Sequence, residues 1–292
     1  MREQRHLNIL LRAFFFCVLN ISALEAQEPL TFGNFTPARG VTIDPQGNIY
    51  VTDAGANKIQ KYTFEGKLVT EIGGYGWGQL EFDQPAGVAA TNGLDIFVAD
   101  YGNHRIQRFN RKLEYIATLT TRESESEPQR FGYPTAVAVT RVGDVLVCDG
   151  ENNRVLRFSK FSRFDLSIGG INAGKGRLAE PIDVEVDDTD RILVLEPKRV
   201  VVFDRFGNYL STFGQDTLQT ATGFGVSGSS VFVADGFGVL EFNRRGMLER
   251  TIDCRIFSVD KSSNCVDVAA TADRLCILFP TAVLVIPRVK RD

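Results

Sequence analysis

Three stretches of this chain are near copies of one another: VTDAGANKIQKY at 51–62, VADYGNHRIQRF at 98–109 and VCDGENNRVLRF at 147–158. Each runs from an apolar strand through a polar turn into a second, alternating strand. Their aspartates, Asp53, Asp100 and Asp149, stand 47 and 49 residues apart. The flanks repeat too: ARGVTIDPQGNIYV, PAGVAATNGLDIFV and PTAVAVTRVGDVLV lie upstream, and GKLVTEIGG, LEYIATLTT and FDLSIGG downstream. A period in the forties with several short strands per unit constrains the fold more than any other property of the sequence. A unit whose strands are apolar on both faces must stack against its neighbours, and the closed form of such a stack is a β-propeller.

Weaker copies occupy 181–214, 223–252 and 265–287. The small or acidic residue that opens each unit falls at Gly40, Gly87, Ala136, Asp183, Gly225 and Asp267, at intervals of 47, 49, 47, 42 and 42. Each unit holds four strand-like runs, A to D. Polar hairpin turns such as DPQGN and DDTDR join A to B. The sixth unit has A, B and C but no D, while PLTFG at 29–33 resembles the D run YLSTFG at 209–214. The expected fold is all-β: a six-bladed propeller of four-stranded antiparallel blades over 29–287, its ring closed by the N-terminal strand pairing into the last blade. Residues 288–292 form a short tail. Closure of this kind leaves only short, protected sheet edges.

Net charge is -3, so the chain lacks the basic balance that displaces counterions from phosphates, and no nucleic-acid partner is expected. At the N-terminus Arg2, Arg5 and Arg12 lead into an apolar run over 13–24, and ALEAQ offers cleavage after Ala26. This is the pattern of a secretory signal peptide over 1–26, with an uncleaved anchor as the rival. The run is short for a membrane span. The expected protein is exported, periplasmic or extracellular, with no membrane span after the leader is removed. Export permits disulfides. Cys254 and Cys265, flanking the polar RIFSVDKSSN, are the candidate pair; Cys148 and Cys276 sit in apolar runs and read as buried free thiols.

The units resemble the NHL repeat family. PAGVAA, DIFVADYGNHR and IQRF carry the family's entry, strand and turn pattern closely, the likeness holds over 35–170, and it fades after 178. The resemblance implies architecture, not activity, because propellers host many unrelated functions. In each blade A runs away from one face and B returns to it. The B–C turns and the long D–A connections, GGYGWGQLEFDQ, TRESESEPQRFGY and GGINAGKGRLAE, therefore share a face. Binding residues favour long loops on a rigid scaffold, and aromatic and arginine side chains are the usual anchors. Arg39, Tyr75, Trp77, Tyr101, His104, Tyr133 and Arg154 are the candidates on that face. Beside this stands a structural reading. The turn aspartates would bond to their own turn amides, the basic residues Lys58, Arg105 and Arg154 would be solvated strand starts, and His104 would be an exposed turn residue.

The expected function is a non-catalytic, monomeric binding or scaffold module for a protein, peptide or glycan, with no cofactor. The alternative is a metal-dependent lactonase-like hydrolase using carboxylates near the channel. Asp183 and Asp267 are its weak metal candidates, two oxygen ligands falling short of a cage. Some NHL relatives are amidating lyases with histidine-bound zinc. After leader removal this chain keeps one histidine, His104, which cannot build that site. No G-x-S-x-G nucleophile motif occurs.

Overall fold

The computed structural model describes residues 28–121, 129–257, 259 and 263–288. The expected leader at 1–26 and all of the tail beyond 288 lie outside the described residues. Between Leu30 and Pro287, six antiparallel sheets of four strands each form the six blades. In blades one to five the strands follow chain order outward from A. Blade two, for example, runs Pro85–Ala89, Asp95–Asp100, Arg105–Asn110 and Tyr115–Leu119. Blade six contains Asp267–Ala270, Arg274–Leu278 and Val283–Pro287, and takes its outer strand from Leu30–Phe32. Leu30 pairs with Val285 and Phe32 with Val283, so the N-terminal strand closes the ring as expected.

Burial follows radial position. Strand B is covered on both faces by neighbouring blades, so Ile49–Asp53 and Val145–Asp149 are buried at every residue. The outer strand Leu68–Gly73 is exposed or half-buried throughout. The core is accordingly six apolar seams between blades. Tyr50 and Ile59 of blade one meet Val88, Ile96 and Phe109 of blade two. At the closing seam Ile49 and Val51 meet Cys276, Leu278 and Val285.

Between blades one, two and three the innermost strands approach so closely that the residue at the contact must be small, whereas blades four and six carry Asp183 and Asp267 at that position. A Cβ on Gly87 would lie 2.7 Å from the Cα of Ala136 in the next blade. The strand register corrects one sequence alignment. Gly40 pairs with Thr52, and its counterpart in blade five is Gly223, paired with Ala234. Gly225 lies one pleat further along, paired with Phe232. Two residues of drift in a degenerate, glycine-rich repeat were invisible without the pairing partners.

Candidate binding face and central channel

The turn acids are the pins of the loop face, because each bonds the incoming loop as well as its own turn. Asp53 accepts from Thr36 N at 2.8 Å, Asp100 from Asp83 N at 2.8 Å and Asp149 from Gly132 N at 3.1 Å. Each donor is 17 residues upstream, in the D–A connection entering the same blade. Glu196 and Asp235 repeat the bond in blades four and five, accepting from Glu180 N and Thr220 N. Within the turns, Asp53 takes the backbone amide of Ala56 at 3.3 Å, while Asp100 and Asp149 take the side-chain amides of Asn103 and Asn152, both at 2.9 Å. The expected bonds within the turns are thus joined by a carboxylate clasp on the incoming loop. The long loop needs a fixed acceptor where it leaves regular structure, and the end of strand B is adjacent to it.

The basic residues after the turn complete the clasp. Arg105 donates from Nε to Asp100 at 2.7 Å and from its terminal nitrogens to the carbonyls of Trp77, Gly78 and Glu81. Arg154 bonds Asp149 at 3.1 Å and the Arg130 carbonyl. Neither is a merely solvated strand start. Lys58 differs, pairing with Glu71 at 2.6 Å on the outer strand. Burial lifts the Asp100 carboxyl above its usual range against the pull of its amide, Asn103 and Arg105 bonds.

Four of the seven candidate face residues form one continuous strip. The Arg39 guanidinium lies over Tyr101 at 4.8 Å, Tyr101 packs on Tyr133 at 4.9 Å, and Tyr133 packs on His104 at 4.3 Å. His104 Nδ1 sits 3.2 Å from the Gly132 carbonyl. Its backbone φ of 53° matches the 55° of Asn57 and 51° of Asn153, so it fills the left-handed position of the repeated turn. Tyr75, 71% exposed, lines a hollow together with Arg39 and Tyr101. Trp77 is 59% exposed, and only its carbonyl is engaged, by Arg105. Arg154 stands apart, beside Gly170 and Asn172 in another hollow.

The strip borders the mouth of the central channel. A cavity of about 410 Å³ opens there, lined by the first residues of the six A strands, with Arg39, Glu180, Asp183 and Asp267 among them. Glu185 lines this cavity and also a smaller one of about 240 Å³ on the hairpin face. Asp183 and Asp267 do face the channel, and each fastens one blade to the next. Asp183 accepts from Val184 N at 2.8 Å and Phe224 N at 3.2 Å; Asp267 accepts from Val268 N and Val41 N, both at 2.8 Å. Burial, then the charges of Asp267 and Glu185, hold Asp183 well above the carboxylate range. Glu185 is pushed up to about 8 by burial and then by Asp267, and burial pushes Asp267 up to about 7. Three acids thus share one poorly solvated space and resist ionising together. Glu185 was overlooked in the sequence; its signal was the i+2 spacing from Asp183, which puts both on the same side of strand A. Among the described residues, no three His, Cys, Asp or Glu side chains are grouped to hold a metal ion.

Cys148 and Cys276 are buried thiols in separate seams, as expected. Cys254 and Cys265 are buried, unbonded thiols in one apolar cluster.

These features define a six-bladed propeller with clasped loops on one face and an acidic channel. Its first three blades carry NHL repeats, matched at 35–62, 82–109 and 131–158. A probable peptidyl-alpha-hydroxyglycine alpha-amidating lyase of Caenorhabditis elegans is 35% identical over 104 residues, 34% of this chain and 30% of that protein. The brain tumor protein of Drosophila melanogaster is 32% identical over 150 residues, 49% of this chain and 14% of that protein. The matches thus span under a third of these relatives' own length. Among solved structures, a gluconolactonase from Xanthomonas campestris superposes with a TM-score of 0.68 at 16% identity, covering 91% of this chain and 93% of that one. A virginiamycin B lyase from Staphylococcus aureus gives 0.62 at 10% identity, covering 90% and 99%. At those identities the likeness is one of fold.

Proposed function

We propose that this chain is an exported, monomeric, non-catalytic binding module that recognises a protein, peptide or glycan through its loop face. The observation that carries this reading is the strip Arg39–Tyr101–Tyr133–His104, with Tyr75 beside it. It offers aromatic faces and a guanidinium already held in place by mutual stacking, so little side-chain freedom is lost when a ligand docks. The clasped loops beneath it supply a rigid base. The lyase chemistry named for the nematode relative has no support in this chain's side chains. Zinc held by several imidazoles would need more than the two histidines of the sequence, His6 and His104, of which His6 lies in the expected leader.

The test is a screen of peptide and glycan arrays with the mature protein, followed by titration of any hit against Tyr75→Ala and Tyr101→Ala. Affinity reduced at least tenfold in both variants supports the reading. A ligand bound equally by all three proteins overturns the choice of face. A second reading, a carboxylate-using lactonase or hydrolase, is favoured by Asp183, Glu185 and Asp267 sharing the channel. Carboxyls titrating near neutrality suit acid–base chemistry. Turnover on an esterase or lactonase panel that is lost in Glu185→Gln would replace the first reading with this one.

A further inference from the structure

Blades one to five each end strand B in an acid that clasps the incoming loop: Asp53, Asp100, Asp149, Glu196 and Asp235. Blade six does not. Asp267 pairs with Leu278, so the residue in the clasp position is the next one, Phe279, which is apolar and 2% exposed. The connection entering blade six must be held by other means, and it carries a cysteine at each end of its ten intervening residues.

Both cysteines are anchored to the same turn of blade five. Cys254 N donates to the Phe237 carbonyl at 2.9 Å, and Cys265 N to the adjacent Gly236 carbonyl at 2.7 Å. The Cys265 carbonyl accepts from Thr222 Oγ1 at 2.9 Å. The two side chains lie in one apolar cluster, 3% and 0% exposed. Their backbones are thus fixed side by side, on adjacent carbonyls of one turn, with both side chains in the same apolar cluster.

We propose that Cys254 and Cys265 are a disulfide site, and that the bond takes the place of the missing clasp in blade six. The chemistry is exchange with a small disulfide such as glutathione disulfide. The Cys254 thiolate attacks one sulfur of the reagent, forming a mixed disulfide and expelling one glutathione thiolate. The Cys265 thiolate then attacks the Cys254 sulfur and expels the second. The two cysteines lose two protons and two electrons, and the reagent becomes two thiols. The bond would fix the start of blade six two residues before Asp267, the side chain that reaches across the closing seam to Val41 N.

Refolding the reduced full-length chain in a buffer of oxidised and reduced glutathione exposes the thiols before they are buried. The products are then alkylated and mapped as peptides. The expected result is one linked peptide joining Cys254 to Cys265, with Cys17, Cys148 and Cys276 alkylated. The oxidised wild-type protein should melt about 5 °C above the same protein in reductant. Cys265→Ser should abolish both the linkage and the difference in melting. A folded protein with all five thiols alkylated overturns the proposal, as does a linkage through Cys17, Cys148 or Cys276. An oxidised form no more stable than the reduced one refutes the clasp role. None of these readouts involves the loop-face ligand, so the outcome is independent of the binding reading.

Discussion

Replacing Glu185 by Gln should stabilise this protein, and only above mildly acidic pH. In the unfolded chain Glu185 ionises at its ordinary 4.5, whereas in the channel it is pushed up to about 8 by burial and Asp267. Between those values the folded state binds a proton that the unfolded state has released. Stability therefore falls as pH rises through this window. At about 1.4 kcal/mol per unit, a shift of roughly 3.5 units caps the loss at ~5 kcal/mol. Glu185 touches the cavities at both mouths of the channel, so water screens part of that. We expect about 2 kcal/mol, or about 5 °C in Tm for a domain of this size. Thermal unfolding followed by circular dichroism at about pH 8.5 should show Glu185→Gln melting higher than wild type. At about pH 4, where the glutamate is protonated in both states, the two curves should converge. A variant no more stable than wild type at the higher pH, with an unchanged pH slope, would refute the account of the channel as a strained acidic space.

Two further outcomes follow from the clasps and the closure. Asp100→Ala should lose about 3 kcal/mol in urea unfolding, because it leaves the Arg105 guanidinium and the Asp83 amide without their acceptor in a buried site; a loss below about 1 kcal/mol would show that the loop is held elsewhere. Removing residues 1–33 uncovers the edge of Val283–Pro287, whose Val283 and Val285 are buried beneath Leu30–Phe32. Light scattering should then detect concentration-dependent association through that edge, whereas a monomer with unchanged Tm would show that the closing strand is dispensable.

The fold was legible in the sequence because a propeller repeats its reasons. Each blade needs the same apolar B strand, and the first three also repeat the turn and the small residue near the axis, so one pattern is written several times and can be checked against itself. The six blades, the antiparallel order and closure by Leu30–Phe32 all follow from that redundancy. Legibility ended where the copies diverge. In blade five the repeat pointed to Gly225, and strand pairing moved the position to Gly223.

The site was partly legible for a different reason. Residue type and loop length placed Arg39, Tyr75, Tyr101, His104 and Tyr133 on one face. Nothing in one dimension could show that Arg39, Tyr101, Tyr133 and His104, spread over 94 positions from three blades, stack in contact. The same limit hid the partners of the turn acids. Sequence shows an aspartate in a turn, and local geometry suggests its own amides; only the packed blade brings an amide 17 residues upstream within reach. The three channel acids come from two blades, and their shared resistance to ionising arises from a narrow space that exists only when the ring is closed. Local pattern, set by strand periodicity and turn chemistry, was determined by the chain itself. Which side chains meet was decided by the closure of the ring, because contact between blades depends on distances that repetition does not encode.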